Sequence, residues 1–413
     1  MTSLVAPRSR SPLLRRDFAL IWTAGLVSDA GDWLLMIALP LFALAATGSP
    51  LGASTVFLVE LVPMLLTGSF LGVLVDRWDH RRTMIAVACL QGVLLLPLLA
   101  ASADRMWIVY GVAAVESLLG AVMNPARRAL VPRLVEAPEL GRANGLIAVS
   151  DNLARLIGSP LGGLAFAVWG LPGVVLVDAA SFVVTAGLVA LSRARVSAPA
   201  SAADRATDAE RRLLREWREG LALLWRNGTL RTLSVIAALG SVAQGLFVVL
   251  VLVYVTHDLG AGGTGVGVLR GVQAIGGVLG GLTAGVLIRR LSPRLLIGVG
   301  YLVFGALSLL TWNLAPVTTA LAVYAGLFIA MGIPAVATEA GEITLVQTVT
   351  PAPALGRVIA AVTTLSTGAQ GISLLLGGVL AGLVPVVPVL DAQASLYLVC
   401  GASALVFLRG PRT

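Results

Sequence analysis

The chain of 413 residues is 57% hydrophobic and 12% charged, and its net charge of +8 rests on 29 basic residues, all arginine. Soluble globular proteins carry about 25% charged residues, so an ordinary water-soluble fold is excluded. The absence of lysine excludes a Walker A phosphate loop and Schiff-base catalysis.

In chain order, twelve apolar segments reach the roughly 18 residues that a membrane-spanning helix needs. They cover residues 18–46, 51–76, 83–101, 106–126, 143–169, 172–192, 229–257, 262–288, 293–313, 317–345, 355–384 and 389–408. The expected fold is therefore an all-α integral membrane protein. The arginines orient it. With the N-terminus placed inside, cytoplasmic segments hold 26 of the 29; the outer loops hold Arg105 and the spans hold Arg155 and Arg270. This asymmetry places both termini in the cytoplasm and explains the basic balance without a nucleic-acid partner. The N-terminal arginines precede a long apolar stretch without a small-residue cleavage site, which reads as an uncleaved first helix. Cys89 and Cys400 fall within predicted helices and suggest neither a disulfide nor a metal site. His80 and His257 fall on opposite membrane faces, so neither a metal cluster nor a catalytic triad is expected. No cofactor is expected either.

Between the sixth and seventh spans lies the one long polar stretch, residues 193–228, which separates an N-terminal half (1–192) from a C-terminal half (229–413). Its second part carries Leu213, Leu214, Trp217, Leu221, Leu224 and Trp225 on one helical face, the pattern of an amphipathic helix lying at the interface. The two halves resemble each other. Leu140-Gly141-Arg142 is matched by Leu355-Gly356-Arg357, and twenty residues after each arginine come Gly162-Gly163 and Gly377-Gly378. Gly72-Val73-Leu74-Val75 has a counterpart in Gly285-Val286-Leu287-Ile288. Two six-helix repeats joined by a long linker are the plan of a secondary transporter.

Charges inside the spans are costly and face a partner or a water-filled path. At 1.5 Å per residue, Asp29 and Asp32 lie roughly 17–21 Å into the first span, and Glu60 and Glu116 about 14–15 Å from the outer ends of theirs. A mid-membrane carboxylate that alternately takes a proton and a cation is the simplest antiport device. Asp151 and Arg155 stand four residues apart on the fifth span and are spaced to pair. Asp178 has no evident partner. Arg270 is suited to an anionic substrate group or to an acid across the cavity. Six mid-membrane acids against two arginines tilt the path towards cations. Glu339 and Glu342 are expected near the cytoplasmic end of the tenth span, in an ion-pair gate with Arg289, Arg290 and Arg357.

Two motifs remain. Gly72-x-x-x-Asp76-Arg77 followed by Asp79-His80-Arg81-Arg82 places an acid ahead of loop arginines; acids add nothing to orientation, but a carboxylate–arginine pair makes a latch. Arg155-x-x-Gly158-Ser159-Pro160-Leu161-Gly162-Gly163 supplies small residues for close helix approach, with a tolerated proline. The first motif resembles the G-x-L-A-D-R-x-G-R-R signature of the major facilitator superfamily, with Asp79 and His80 in place of Gly-Arg. The second resembles the G-P-x-x-G-G antiporter motif of that superfamily's drug exporters, with Gly145, Gly158, Gly162 and Gly163 in register and Pro160 displaced by one residue. Leu14-Arg15-Arg16-Asp17-Phe18, Ser28-Asp29-Ala30-Gly31-Asp32-Trp33 and Asn124-Pro125-Ala126-Arg127-Arg128 are similar to its branch of macrolide-efflux and enterobactin-export proteins. The resemblance implies a monomeric transporter of the bacterial cytoplasmic membrane, driven by protons, that exports a small amphiphilic or cationic molecule. It also implies a cavity lined by the first, fourth, seventh and tenth helices, which favours Asp32, Asp29 and Glu116. An importer or uniporter of the same fold, or a receptor without net transport, would share these features.

Overall fold

A computed structural model describes residues 15–75, 78–193, 218–287 and 290–408. Asp76, Arg77 and Arg289 lie outside them, as do residues 208–217 of the amphipathic linker pattern.

Twelve long helices follow one another: α1 (Arg16–Thr47), α2 (Pro50–Val75), α3 (His80–Leu94), α4 (Met106–Leu134), α5 and α6 within Leu140–Leu191, α7 (Gly228–Val253), α8 (Gly262–Leu287), α9 (Pro293–Trp312), α10 (Leu321–Val349), α11 (Leu355–Leu383) and α12 (Val386–Phe407). Leu140–Leu191 is two helices, 140–169 and 171–191, because Gly170 adopts φ 64, ψ −165, a conformation that breaks the helical run. Local chemistry sets several other boundaries. Gly48 (φ 65) ends α1 in the left-handed region, its N–H reaching the Leu44 carbonyl. Asn227 and Ser292 cap α7 and α9 with their side chains. Asp79 caps α3 by accepting the Arg82 N–H at 2.8 Å. The acid at that motif position thus serves its own helix.

Ten helical stretches among the described residues are long and apolar enough to cross a membrane, one of them the folded pair Leu140–Leu191. Helices suit lipid because they satisfy every backbone polar group internally. Predicted and observed spans agree within a few residues, with two consequential exceptions. α4 continues through Pro125 and Pro132 to Leu134, where the sequence suggested an end at 126. α10 runs to Val349 instead of 345, which moves Glu339 and Glu342 deeper into the bundle.

Helices α1–α6 pack on one another, as do α7–α12, and the two groups meet along α5–α8 and α2–α11. The glycine pairs of the repeat lie at these seams. A Cβ on Gly163 would strike the backbone of Gly263 on α8, and one on Gly378 would strike Ser54 on α2. We call the end where α6 leaves and residues 218–227 enter the linker end. The largest buried apolar cluster draws Ile37, Leu41 and Phe57 together with Phe247, Leu269, Tyr254 and Leu374, so it crosses both groups at the opposite end. The buried clusters at the linker end stay within one group each: Ile21, Met84, Val122 and Val189 in the first, and Leu224, Leu233, Val346 and Cys400 in the second. Among the described residues, buried apolar packing that crosses both groups lies at the end away from the linker.

At the linker end, residues 218–226 are helical and dock on the second group: Leu224 is fully buried, Gly220 abuts Arg357, and Glu219 pairs with the Arg357 guanidinium. Trp225, expected on the apolar face, is exposed.

Candidate functional site

Two of the cavities lie one in each helix group. The first, of about 600 Å³, is lined by Asp29, Asp32, Trp33 and Met36 of α1, Asn124, Pro125, Arg127 and Arg128 of α4, and Asp151 of α5. Arg127 organises it. The guanidinium is buried and donates to Asp29 at 2.6 Å and to Asp151 at 3.5 Å, linking three helices. Read from the sequence, the apolar run ends at 126 and Arg127 falls among the cytoplasmic arginines. In a packed bundle a proline costs one helical hydrogen bond without stopping the helix, so Arg127 falls inside the span. The signal was present in the sequence: six buried acids for two arginines called for another cation.

The expected Asp151–Arg155 pair is replaced by this arrangement. Asp151 faces Arg127, while Arg155 reaches across to α8, where its Nε donates to the Arg270 carbonyl at 3.2 Å and its Nη2 to the Gln273 Oε1. The Arg155 guanidinium lies over the Trp33 ring, 5.0 Å from its centroid. Arg270 is buried, its guanidinium 5.7 Å from the Phe247 ring centroid. Neither arginine forms an ion pair with a carboxylate among the described residues.

The remaining acids separate by environment. Asp32 is exposed to the cavity and makes no hydrogen bond or ion pair among the described residues; Asp178, Asp29, Glu116 and Arg127 are the charges acting on it. Asp178 is fully buried against Gly31, and its Oδ1 accepts from Ser181 at 3.1 Å. That bond gives Asp178 the partner that its sequence context did not reveal. Glu116 accepts from Gln91 of α3 at 2.9 Å, and Glu60 is partly buried on α2. Neither lines the cavity, so of the three acids favoured by resemblance only Asp29 and Asp32 do.

The glycine motif of α5 lies between two neighbours. Gly158 and Gly162 press on α1 at Ala30 and Leu34, Gly163 presses on α8, and the Pro160 ring abuts Gly271 of α8. Gly145 has open space around its Cβ position and takes no part in this packing. Gly72 lies in α2. Arg81 donates to the carbonyls of Val189 (3.2 Å) and Ala190 (2.6 Å), tying the start of α3 to the end of α6. Its neighbour Arg82 contributes the backbone N–H that Asp79 caps.

The second cavity, of about 410 Å³, is lined by Gln244, Tyr301, Phe304, Glu339, Glu342 and Tyr397 together with small residues. Among the described residues neither glutamate forms an ion pair, and Arg289 of the expected gate lies outside them. Glu342 accepts from the Tyr301 hydroxyl at 2.9 Å, Glu339 is exposed to the cavity, and Arg357 turns to Glu219 at the linker end. Arg290 is exposed.

A bundle of long apolar helices in two groups of six, with acid-lined cavities inside each group, has the architecture of a membrane transporter. The model of the Major Facilitator Superfamily matches residues 21–373, and the chain belongs to that family. It is a multi-pass membrane transporter and not an enzyme. It is 31% identical over 297 residues to the multidrug efflux pump Tap of Mycolicibacterium fortuitum, covering 69% of each chain. It is 26% identical over 225 residues to macrolide efflux protein A of Streptococcus pyogenes, covering 54% of each; the match therefore spans about half the length of that relative. Among solved structures, a bacterial homologue of the iron transporter ferroportin in an inward-facing state superposes with a TM-score of 0.69 at 18% identity, covering 96% of this chain and 98% of that one. A peptide-bound POT family transporter gives 0.72 at 12% identity, covering 95% and 94%. At such identities the structures establish the fold alone.

Proposed function

We propose that the protein exports a small amphiphilic or cationic compound from the bacterial cytoplasm in exchange for protons, by alternating access. The observation that carries this reading is Asp32: a carboxylate deep in a membrane-spanning helix, open to a cavity and without a partner among the described residues, beside Asp29 and Asp151, which share Arg127. An isolated charge at that depth is costly, so Asp32 is the group best placed to exchange a proton as its surroundings change. Arg127 neutralises its two acidic neighbours and leaves that task to Asp32.

The arginine-rich linker end faces the cytoplasm by the positive-inside rule, which makes the conformation described above inward-open. Proton entry from the outer side requires the α5–α8 and α2–α11 seams to part while the linker end closes. The two efflux-pump relatives support the direction of transport, and a drug-like cargo comes to this chain from them as a proposal.

Vesicles test it. Export predicts accumulation of ethidium in inverted vesicles only when their interior is acidified, and none in right-side-out vesicles under the opposite arrangement. Accumulation confined to right-side-out vesicles would establish import instead, and accumulation insensitive to the gradient would establish a uniporter.

A further inference from the structure

We propose that the cavity of the second helix group is a binding site for a drug-sized organic monocation bearing an aromatic ring, held by Glu339 and separate from the proton site at Asp32. The proposal deepens the export reading and rests on it for the direction of transport, though not for binding itself.

The two cavities occupy equivalent places in the repeat. Asp29 lies thirteen residues after the first residue of α1, and Ser241 thirteen after that of α7. By the same measure, sixteen residues in, Asp32 corresponds to Gln244. Arg127 lies twenty-one residues after the start of α4, and Glu342 twenty-one after that of α10. Asn124 and Glu339 both stand at eighteen. Asp151 and Ser366 both stand eleven residues into α5 and α11. All of these residues line one cavity or the other.

The same architecture thus carries opposite electrostatics. In the first cavity two acids flank an arginine that the protein supplies. In the second, serines replace the two acids and a glutamate replaces the arginine. No lining residue there is basic, and no carboxylate of that cavity forms an ion pair among the described residues. Among the described residues nothing supplies a counter-charge to that cavity.

The walls point to what brings it. Tyr301 and Tyr397 stack with ring centroids 5.9 Å apart, and Phe304 meets Tyr397 edge-on at 4.7 Å. Aromatic faces attract organic cations, most strongly where water is excluded. They give a small, strongly hydrated metal ion no ligands, and no group of three metal-ligating side chains occurs among the described residues. Glu342 is engaged by the Tyr301 hydroxyl and Gln244 by the Tyr397 hydroxyl at 3.1 Å, which leaves Glu339 as the uncommitted charge. One free carboxylate matches one positive charge. A cavity of about 410 Å³ falls within the range that encloses drug-sized ligands.

The test is equilibrium binding of tetraphenylphosphonium, with tetraphenylborate as the anion of matching shape, to purified protein in nanodiscs. Wild type binds the cation and not the anion. Glu339→Gln weakens cation binding by at least ~tenfold, the equivalent of about 1.4 kcal/mol. Ala335→Trp, which fills the cavity without touching a charge, weakens it as much and decides the matter if Glu339→Gln does not fold. Asp32→Asn keeps tetraphenylphosphonium affinity within about twofold of wild type, well under the tenfold step. A folded Glu339→Gln with wild-type affinity overturns the site. Equal losses in Asp32→Asn and Glu339→Gln would mean one shared site and overturn the separation. A wild type that binds neither ion yet exports ethidium removes this site and leaves the export reading in place.

Discussion

The Arg127 guanidinium meets the Asp29 carboxylate at 2.6 Å, and this bond ties α4 to α1 inside the membrane span. Both groups border the first cavity, and Arg127 is the more deeply buried of the two. Removing one partner of a buried ion pair costs about 3–5 kcal/mol, because the other charge is left uncompensated. Arg127→Ala should fall near the lower figure, since the cavity wets Asp29. We expect a lower midpoint of thermal unfolding and little efflux. Adding Asp29→Asn to Arg127→Ala should restore part of the stability, as coupled neighbours do. Strict additivity of the two losses in a double-mutant cycle would show that the pair contributes nothing.

Much of this architecture was legible in the sequence. The twelve apolar runs marked the spans, and the matched glycine pairs marked the internal repeat. The side-chain partnerships were not. Asp151 and Arg155 are suitably spaced on one helix, yet each finds a better partner on another: Arg127 of α4 for Asp151, and Gln273 of α8 for Arg155. Helical spacing sees only the helix it is read from. The Tyr301 hydroxyl that Glu342 accepts from was equally hidden, because it comes from α9, a helix away in the sequence.

Asp32 is the acid whose loss should separate coupling from transport. Asp32→Asn keeps the shape of the side chain and removes its ability to exchange a proton. Proton-driven efflux should disappear, while exchange of labelled for unlabelled substrate across vesicles without a gradient should persist. Wild-type efflux from this variant would take Asp32 out of the mechanism.

The α5 glycines make contrasting predictions. A side chain on Gly163 collides with the backbone of Gly263 and Thr264 on α8, and backbone has no easy way to yield. Gly163→Val should hold the sealed end apart and abolish alternating access. Gly145 has free space at its Cβ position; Gly145→Ala should be neutral or stabilise its helix by up to about 1 kcal/mol. The check is vesicle efflux alongside thermal unfolding. Equal loss in the two variants would mean that the motif acts through something other than the seam.

Gln273 controls how firmly that seam closes. Its Oε1 accepts a bond from Arg155, whose positive charge is the one acting on buried Arg270 from nearby. Gln273→Leu removes the acceptor and leaves two like charges adjacent with less to hold them. A hydrogen bond to a charged group is worth about 1.5–3 kcal/mol, so its loss shifts a two-state balance by roughly tenfold or more. The balance should move towards the state open at the end away from the linker. Leu269 lies in the buried cluster at that end, fully covered. A cysteine placed there, in a Cys89→Ser background because Cys89 is exposed while Cys400 is buried, should react with a membrane-impermeant maleimide several-fold faster in the Gln273→Leu protein. Unchanged labelling would mean that the apolar cluster alone keeps this end shut and that the Arg155–Gln273 bridge is incidental to the transport cycle.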